Sequence, residues 1–79
     1  MSIEKPKDVR AWYAGRIARK YHDAWRVWRI TRSPELTAVM ADLTREREDH
    51  QTRTGWYAYY DGHTTTYHYT DPKTREDTP

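Results

Sequence analysis

Arg16, Arg19, Lys20, Arg26 and Arg29 put five cations into fourteen consecutive residues, a stretch without proline in which Asp23 is the only acid. Guanidinium groups make paired hydrogen bonds to phosphate and carboxylate oxygens. As one helix the stretch would run for about three and a half turns, long enough to follow a phosphate backbone. Trp12 and Trp25 lie in or beside it, and Tyr57 and Tyr59 follow later in the chain; such rings stack on bases and sugar edges. These residues point to a non-enzymatic binding module that docks onto nucleic acid or a nucleoprotein assembly. Arg16, Arg19, Lys20, Arg26 and Arg29 would be its anion contacts, and Trp12, Trp25, Tyr57 and Tyr59 its aromatic contacts. No helix-turn-helix, zinc-finger, RNA-recognition or P-loop signature accompanies them, so the expected contacts are to phosphate, with weak sequence preference and strong salt dependence. The alternative is a protein-interaction or structural subunit, a small accessory or inhibitor protein, that buries its Trp and Tyr surfaces against an acidic partner.

Catalytic chemistry finds little support. There is no Cys, hence no thiol nucleophile, disulfide or Cys-based zinc site. His22, His50, His63 and His68 lack the spacing of a ligand set; Glu46 and His50 fall one helical turn apart, but two groups do not make a zinc site. Ser2 and Ser33 have no neighbouring His with an orienting acid, and there is no Gly-rich phosphate loop. The expectation is no enzyme activity, no metal and no cofactor.

Charge is divided along the chain. Residues 1–33 carry nine Lys or Arg against three acids, a net of +6, and residues 34–79 carry five against nine acids, a net of −4. A basic half seeks nucleic acid, an acidic protein surface or anionic lipid. The acidic half could orient that contact or neutralise a neighbouring copy, so a homo-oligomer is compatible with the pattern. No apolar run approaches the roughly 18 residues of a membrane span, and no apolar segment follows Met1 as in a secretory leader; the expected location is the cytoplasm. With 79 residues there is one domain at most, and one core of that size supplies only about 3–5 kcal/mol of net stability. Phe is absent and Leu occurs twice, whereas four Trp and seven Tyr supply the apolar volume, more ring surface than so small a domain readily hides.

The elements that must position these groups follow from periodicity. Residues 8–31 read as a long helix capped by Asp8, with Val9, Tyr13, Ile17, Tyr21, Trp25 and Trp28 as its apolar stripe and the cations on the other side. Gly15 interrupts it, for a close contact or a kink. Ser33-Pro34-Glu35 is a helix-start signal, and Leu36, Val39, Met40 and Leu43 give a second helix to about Glu48, antiparallel to the first. Residues 44–53 are polar and read as an exposed extension or a loop, with His22 and His50 on helix surfaces. Trp56–Tyr60 and Thr64–Thr70 read as strands around an Asp61-Gly62 turn, pairing Tyr60 with His63, Ala58 with Thr65 and Trp56 with Tyr67. The segment resembles a WW domain in Trp56, the Tyr59-Tyr60 pair and Pro72; it has no third strand and no second Trp, so no residue role is carried over.

The expected fold is α+β: two antiparallel helices packed against a C-terminal two-stranded β-hairpin. Residues 1–7 would be a flexible lead, 8–70 the domain and 71–79 a polar tail. Ile17, Tyr21, Trp28, Leu36, Val39, Met40 and Leu43 are the expected core. Trp56 and Tyr67 should cover the helices, leaving Tyr57 and Tyr59 outside.

Overall fold

The computed structural model describes residues 8–71, so the lead at 1–7 and the tail from 72 onward lie outside the described residues. The chain is α+β, in the order α1 (Val9–Thr31), α2 (Pro34–Thr54), β1 (Trp56–Tyr60) and β2 (Thr65–Tyr69). The two strands form one antiparallel ribbon.

Local chemistry sets each boundary. Asp8 caps α1: its carboxylate accepts from the backbone N–H of Arg10 at 2.9 Å and pairs with the Arg10 guanidinium at 2.7 Å, satisfying donors that have no partner within the helix. Those bonds, the side-chain one first, hold the Asp8 carboxyl down at about 2. The buried Trp56 indole N–H, which reaches no acceptor at hydrogen-bond distance among the described residues, is a smaller influence in the same direction. At the other end Arg32 takes a left-handed conformation, φ 54°, and its N–H donates to the Trp28 carbonyl at 2.7 Å. That reversal, followed by Pro34 at the start of α2, turns the chain back on itself. Ser33 stands at the cap position of α2, but its hydroxyl donates to the Glu35 carboxylate at 2.7 Å and caps no backbone N–H.

Two expectations for α2 are corrected. It runs to Thr54 rather than to about Glu48, and Gly55 terminates it with φ 88° and an N–H bonded to the Gln51 carbonyl; of the two readings of the polar stretch from Thr44, the helical extension is the one that forms. His50 is not on the surface: it is 6% exposed, its Nε2 lies 2.8 Å from the Arg10 carbonyl, and its ring packs 5.1 Å from that of Tyr13. A carbonyl only accepts, so Nε2 carries the proton. Tyr13 in turn donates to Glu46, which raises the phenol's pKa above its ordinary value. Polar residues of α2 thus bind α1 where the apolar stripe ends.

The hairpin register also differs. Tyr60 faces Thr65, Ala58 faces Tyr67 and Trp56 faces Tyr69, a slip of two residues from the two-residue turn. The loop has four residues because the Asp61 carboxylate accepts from the backbone N–H groups of both His63 and Thr64 at 2.8 Å. Gly62 sits there at φ 100°, with the His22 ring 3.2 Å from where a Cβ would stand. A slip of two leaves every side chain on its face, so Trp56, Ala58, Tyr60, Thr65 and Tyr67 still turn toward the helices.

The core is smaller in residue size than the stripe foretold. Ala11, Ala14, Gly15 and Ala18 form the face of α1 under the hairpin, with Ala58 buried against Ala14 and Ala18 and with Trp56, Tyr60 and Tyr67 around them. Gly15 marks a close contact rather than a kink: a Cβ there would lie 2.9 Å from the Tyr67 ring. Of the expected core, Ile17 and Leu43 are buried, Trp28, Leu36 and Met40 are half-buried, and Tyr21 and Val39 are exposed. The reason is geometric. Small residues admit the sheet to the helix backbone, and the rings of Tyr13, Tyr21 and Trp25 are left at the seams of the layers.

Candidate functional site

A helix turning 100° per residue does not keep the five cations on one face. Arg16 and Lys20 lie about 40° apart and Arg19 and Arg26 about 20° apart, in two neighbouring rows, whereas Arg29 lies about 180° from Lys20. Taken along α1, the arginines at 16, 19, 26 and 29 wind steadily round the helix toward its sheet side. Arg16, Lys20, Arg26 and Arg29 are exposed, and among the described residues none of them forms an ion pair. The ion pairs that do form are local and involve other arginines, Arg10, Arg45 and Arg53. Arg19 differs from its companions: it is half-buried, and its Nη1 donates to the hydroxyl of the buried Thr65 at 3.3 Å. Its charge is therefore partly committed to docking the hairpin.

Each tryptophan of α1 carries an arginine one turn later. Arg16 lies over Trp12 at 5.2 Å, Arg29 over Trp25 at 5.2 Å and Arg32 over Trp28 at 4.4 Å, within the reach of cation–π attraction. Each guanidinium is thereby drawn to a ring face while its N–H groups can still donate to an anion.

A groove of about 580 Å³ opens between α1, α2 and β1. Ile17, Ala18, Leu43 and Ala58 form its apolar floor, and Tyr21, Trp25, Tyr59 and Tyr60 supply aromatic walls. His22 is wedged beside them, 5.1 Å edge-on from Tyr60 and 5.6 Å from Trp25. Arg47 lies over the Tyr59 ring at 5.9 Å. Asp61 closes one end, and the two backbone N–H groups it accepts, that of Thr64 first, keep its carboxyl below the usual range.

Of the four expected aromatic contacts, Trp25 and Tyr59 meet in this groove. Tyr57 stacks on His68 at 5.1 Å on the outer face of the ribbon, beside Tyr59. Trp12 lies under Arg16 and away from the groove, half-buried. The residues that sequence reasoning left out are Arg32, Arg47, Tyr60 and Asp61. The Trp28–Arg32 pair was visible in its four-residue spacing; Arg47 reaches Tyr59 only through the packing of α2 on β1.

Among the described residues no group of three His, Cys, Asp or Glu could hold a metal ion. Within the same residues, no helix is long and apolar enough to cross a membrane. Compared with protein families, curated proteins and solved structures, the chain matches none.

Proposed function

We propose that this protein is a non-enzymatic binding module that docks onto nucleic acid, free or within a nucleoprotein, through the cations wound round α1. The observation that carries this reading is the set Arg16, Lys20, Arg26 and Arg29: four exposed cations on one helix, none in an ion pair among the described residues. Solvated charges repel one another at this spacing, and a polyanion relieves that repulsion while releasing its own counterions. Aromatic rings lie directly beneath two of the four, so a phosphate contact and a ring contact occur together. Docking of this kind would operate in the cytoplasm.

The test is a titration of DNA and RNA, each as duplex and single strand, at low and physiological salt. Wild type is compared with an Arg16→Glu, Arg26→Glu variant, which leaves the Arg19–Thr65 bond intact. Wild type should bind at low salt and weaken sharply at higher salt, and the variant should fail while its circular-dichroism spectrum stays native. Equal binding by the variant, or none by wild type, would refute the reading.

A second reading, a protein-interaction subunit, draws on a different observation. At the far end of the helical pair Ile30 is 79% exposed, and Val27 and Val39 are exposed too, an apolar tip that suits a protein surface. A partner held there would stay bound at 1 M salt, where the Debye length is about 3 Å.

A further inference from the structure

We infer that the groove between α1, α2 and β1 seats an unpaired nucleobase, so that the protein takes single-stranded nucleic acid in preference to duplex. The inference rests on the nucleic-acid reading above and names its substrate class. At about 580 Å³ the groove lies within the usual range of ligand sites, and four aromatic residues line it over an apolar floor. Base faces stack on such rings, but in a duplex they are already stacked on one another and cannot enter a recess.

Charge decides which planar group fits. Two of the wall rings carry an arginine, Arg29 on Trp25 and Arg47 on Tyr59, and neither arginine has an ion-pair partner among the described residues. A base inserted from a strand has a phosphate on each side of it; Arg47 lines the groove and Arg29 lies over the Trp25 ring of its wall, so both bring positive charge to its surroundings. Asp61 adds an acceptor: one oxygen is occupied by two backbone N–H groups, and the other points no bond to the described residues. A fixed carboxylate accepts from the exocyclic amine or ring N–H of a base, an N–H donor edge that the ring of a phenylalanine or tyrosine does not have. That feature separates a base from the aromatic residue of an acidic peptide. The winding of Arg16, Arg26 and Arg29 toward the sheet side leads a strand from the outer flank of α1 to this opening.

The experiment compares four probes of matched length against the full chain: a single-stranded oligonucleotide, an abasic strand with the same phosphates, the duplex, and a Glu–Tyr copolymer peptide. Wild type should bind the oligonucleotide roughly 5- to 150-fold more tightly than the abasic strand, the stacking effect of one base. A Trp25→Ala, Tyr59→Ala variant should lose the difference between the two strands, whatever affinity it keeps for the abasic one. Both side chains are exposed; Tyr59→Ala alone serves the same comparison should the double variant lose its native circular-dichroism spectrum. Equal, salt-dependent binding of oligonucleotide and abasic strand would overturn the groove assignment and leave the nucleic-acid function standing. Binding of no nucleic-acid probe would overturn both. Preference for the copolymer would give the groove to an acidic protein segment and overturn the assignment.

Discussion

Gly15 is the point at which helix propensity and tertiary packing make opposite demands, so Gly15→Ala tests the fold directly. In an unconstrained helix interior the change stabilises by about 1 kcal/mol. Here the new methyl would stand 2.9 Å from both Cε1 and Oη of Tyr67 and 3.2 Å from Cζ, and the ring is itself packed on the Ala14, Ala18 and Ala58 cluster. Overpacking of that kind costs about 1–3 kcal/mol, which outweighs the propensity gain and leaves a net loss of about 1 kcal/mol. In urea denaturation, with a slope of about 1 kcal/mol per molar for so small a domain, the midpoint should fall by about 1 M. In a Tyr67→Leu background the three contacting atoms are gone, and the same Gly15→Ala change should raise the midpoint. The reversal of sign is the signature of direct coupling between the two positions. A midpoint that rises in the wild-type background, as propensity alone dictates, would refute the docking of β2 on α1 described here.

Three further outcomes follow from the packing and the polar contacts. Ile17→Ala empties a site that is 3% exposed and should cost about 2–5 kcal/mol, enough to unfold much of the population at 25 °C by circular dichroism. His50→Leu keeps most of the volume but leaves its bond to the Arg10 carbonyl unmade; a loss of about 1–3 kcal/mol in urea is expected, against no change if the ring were on the surface. Asp8 has a folded-state pKa of about 2, below its ordinary 3.8, so its contribution is fully present above pH 3.8 and is lost as pH falls through about 2. Asp8→Asn should reduce the pH dependence of helix content in that window, and an unchanged acid profile would show that the cap does not act in this way.

How far the chain could be read from its residues varied with the interaction involved. Local signals were legible: the Asp8 cap, the break at Ser33-Pro34 and the change to alternating Trp, Tyr and Thr at Trp56 each rest on chemistry within a few residues. The core was misread because large apolar side chains give the stronger periodic signal, whereas Ala11, Ala14, Gly15 and Ala18 matter through what they lack. Only a sheet close to the helix backbone reveals their role. The hairpin register was lost to one carboxylate, that of Asp61, which widens the loop by two residues. At the candidate site, the cations were found by type, but their winding and the commitment of Arg19 to Thr65 depend on where the hairpin lands. Arg47 was invisible because its ring partner is on another element.

The central claim is that the exposed cations on α1 contact phosphates, and the slope of log K against log salt concentration measures it most directly. Four contacts, Arg16, Lys20, Arg26 and Arg29, predict a slope of about −3 on a single strand, and removing Arg16 and Arg26 as alanines should make it shallower by about 1.4. A slope near zero, or one that the double substitution leaves unchanged, would contradict the account.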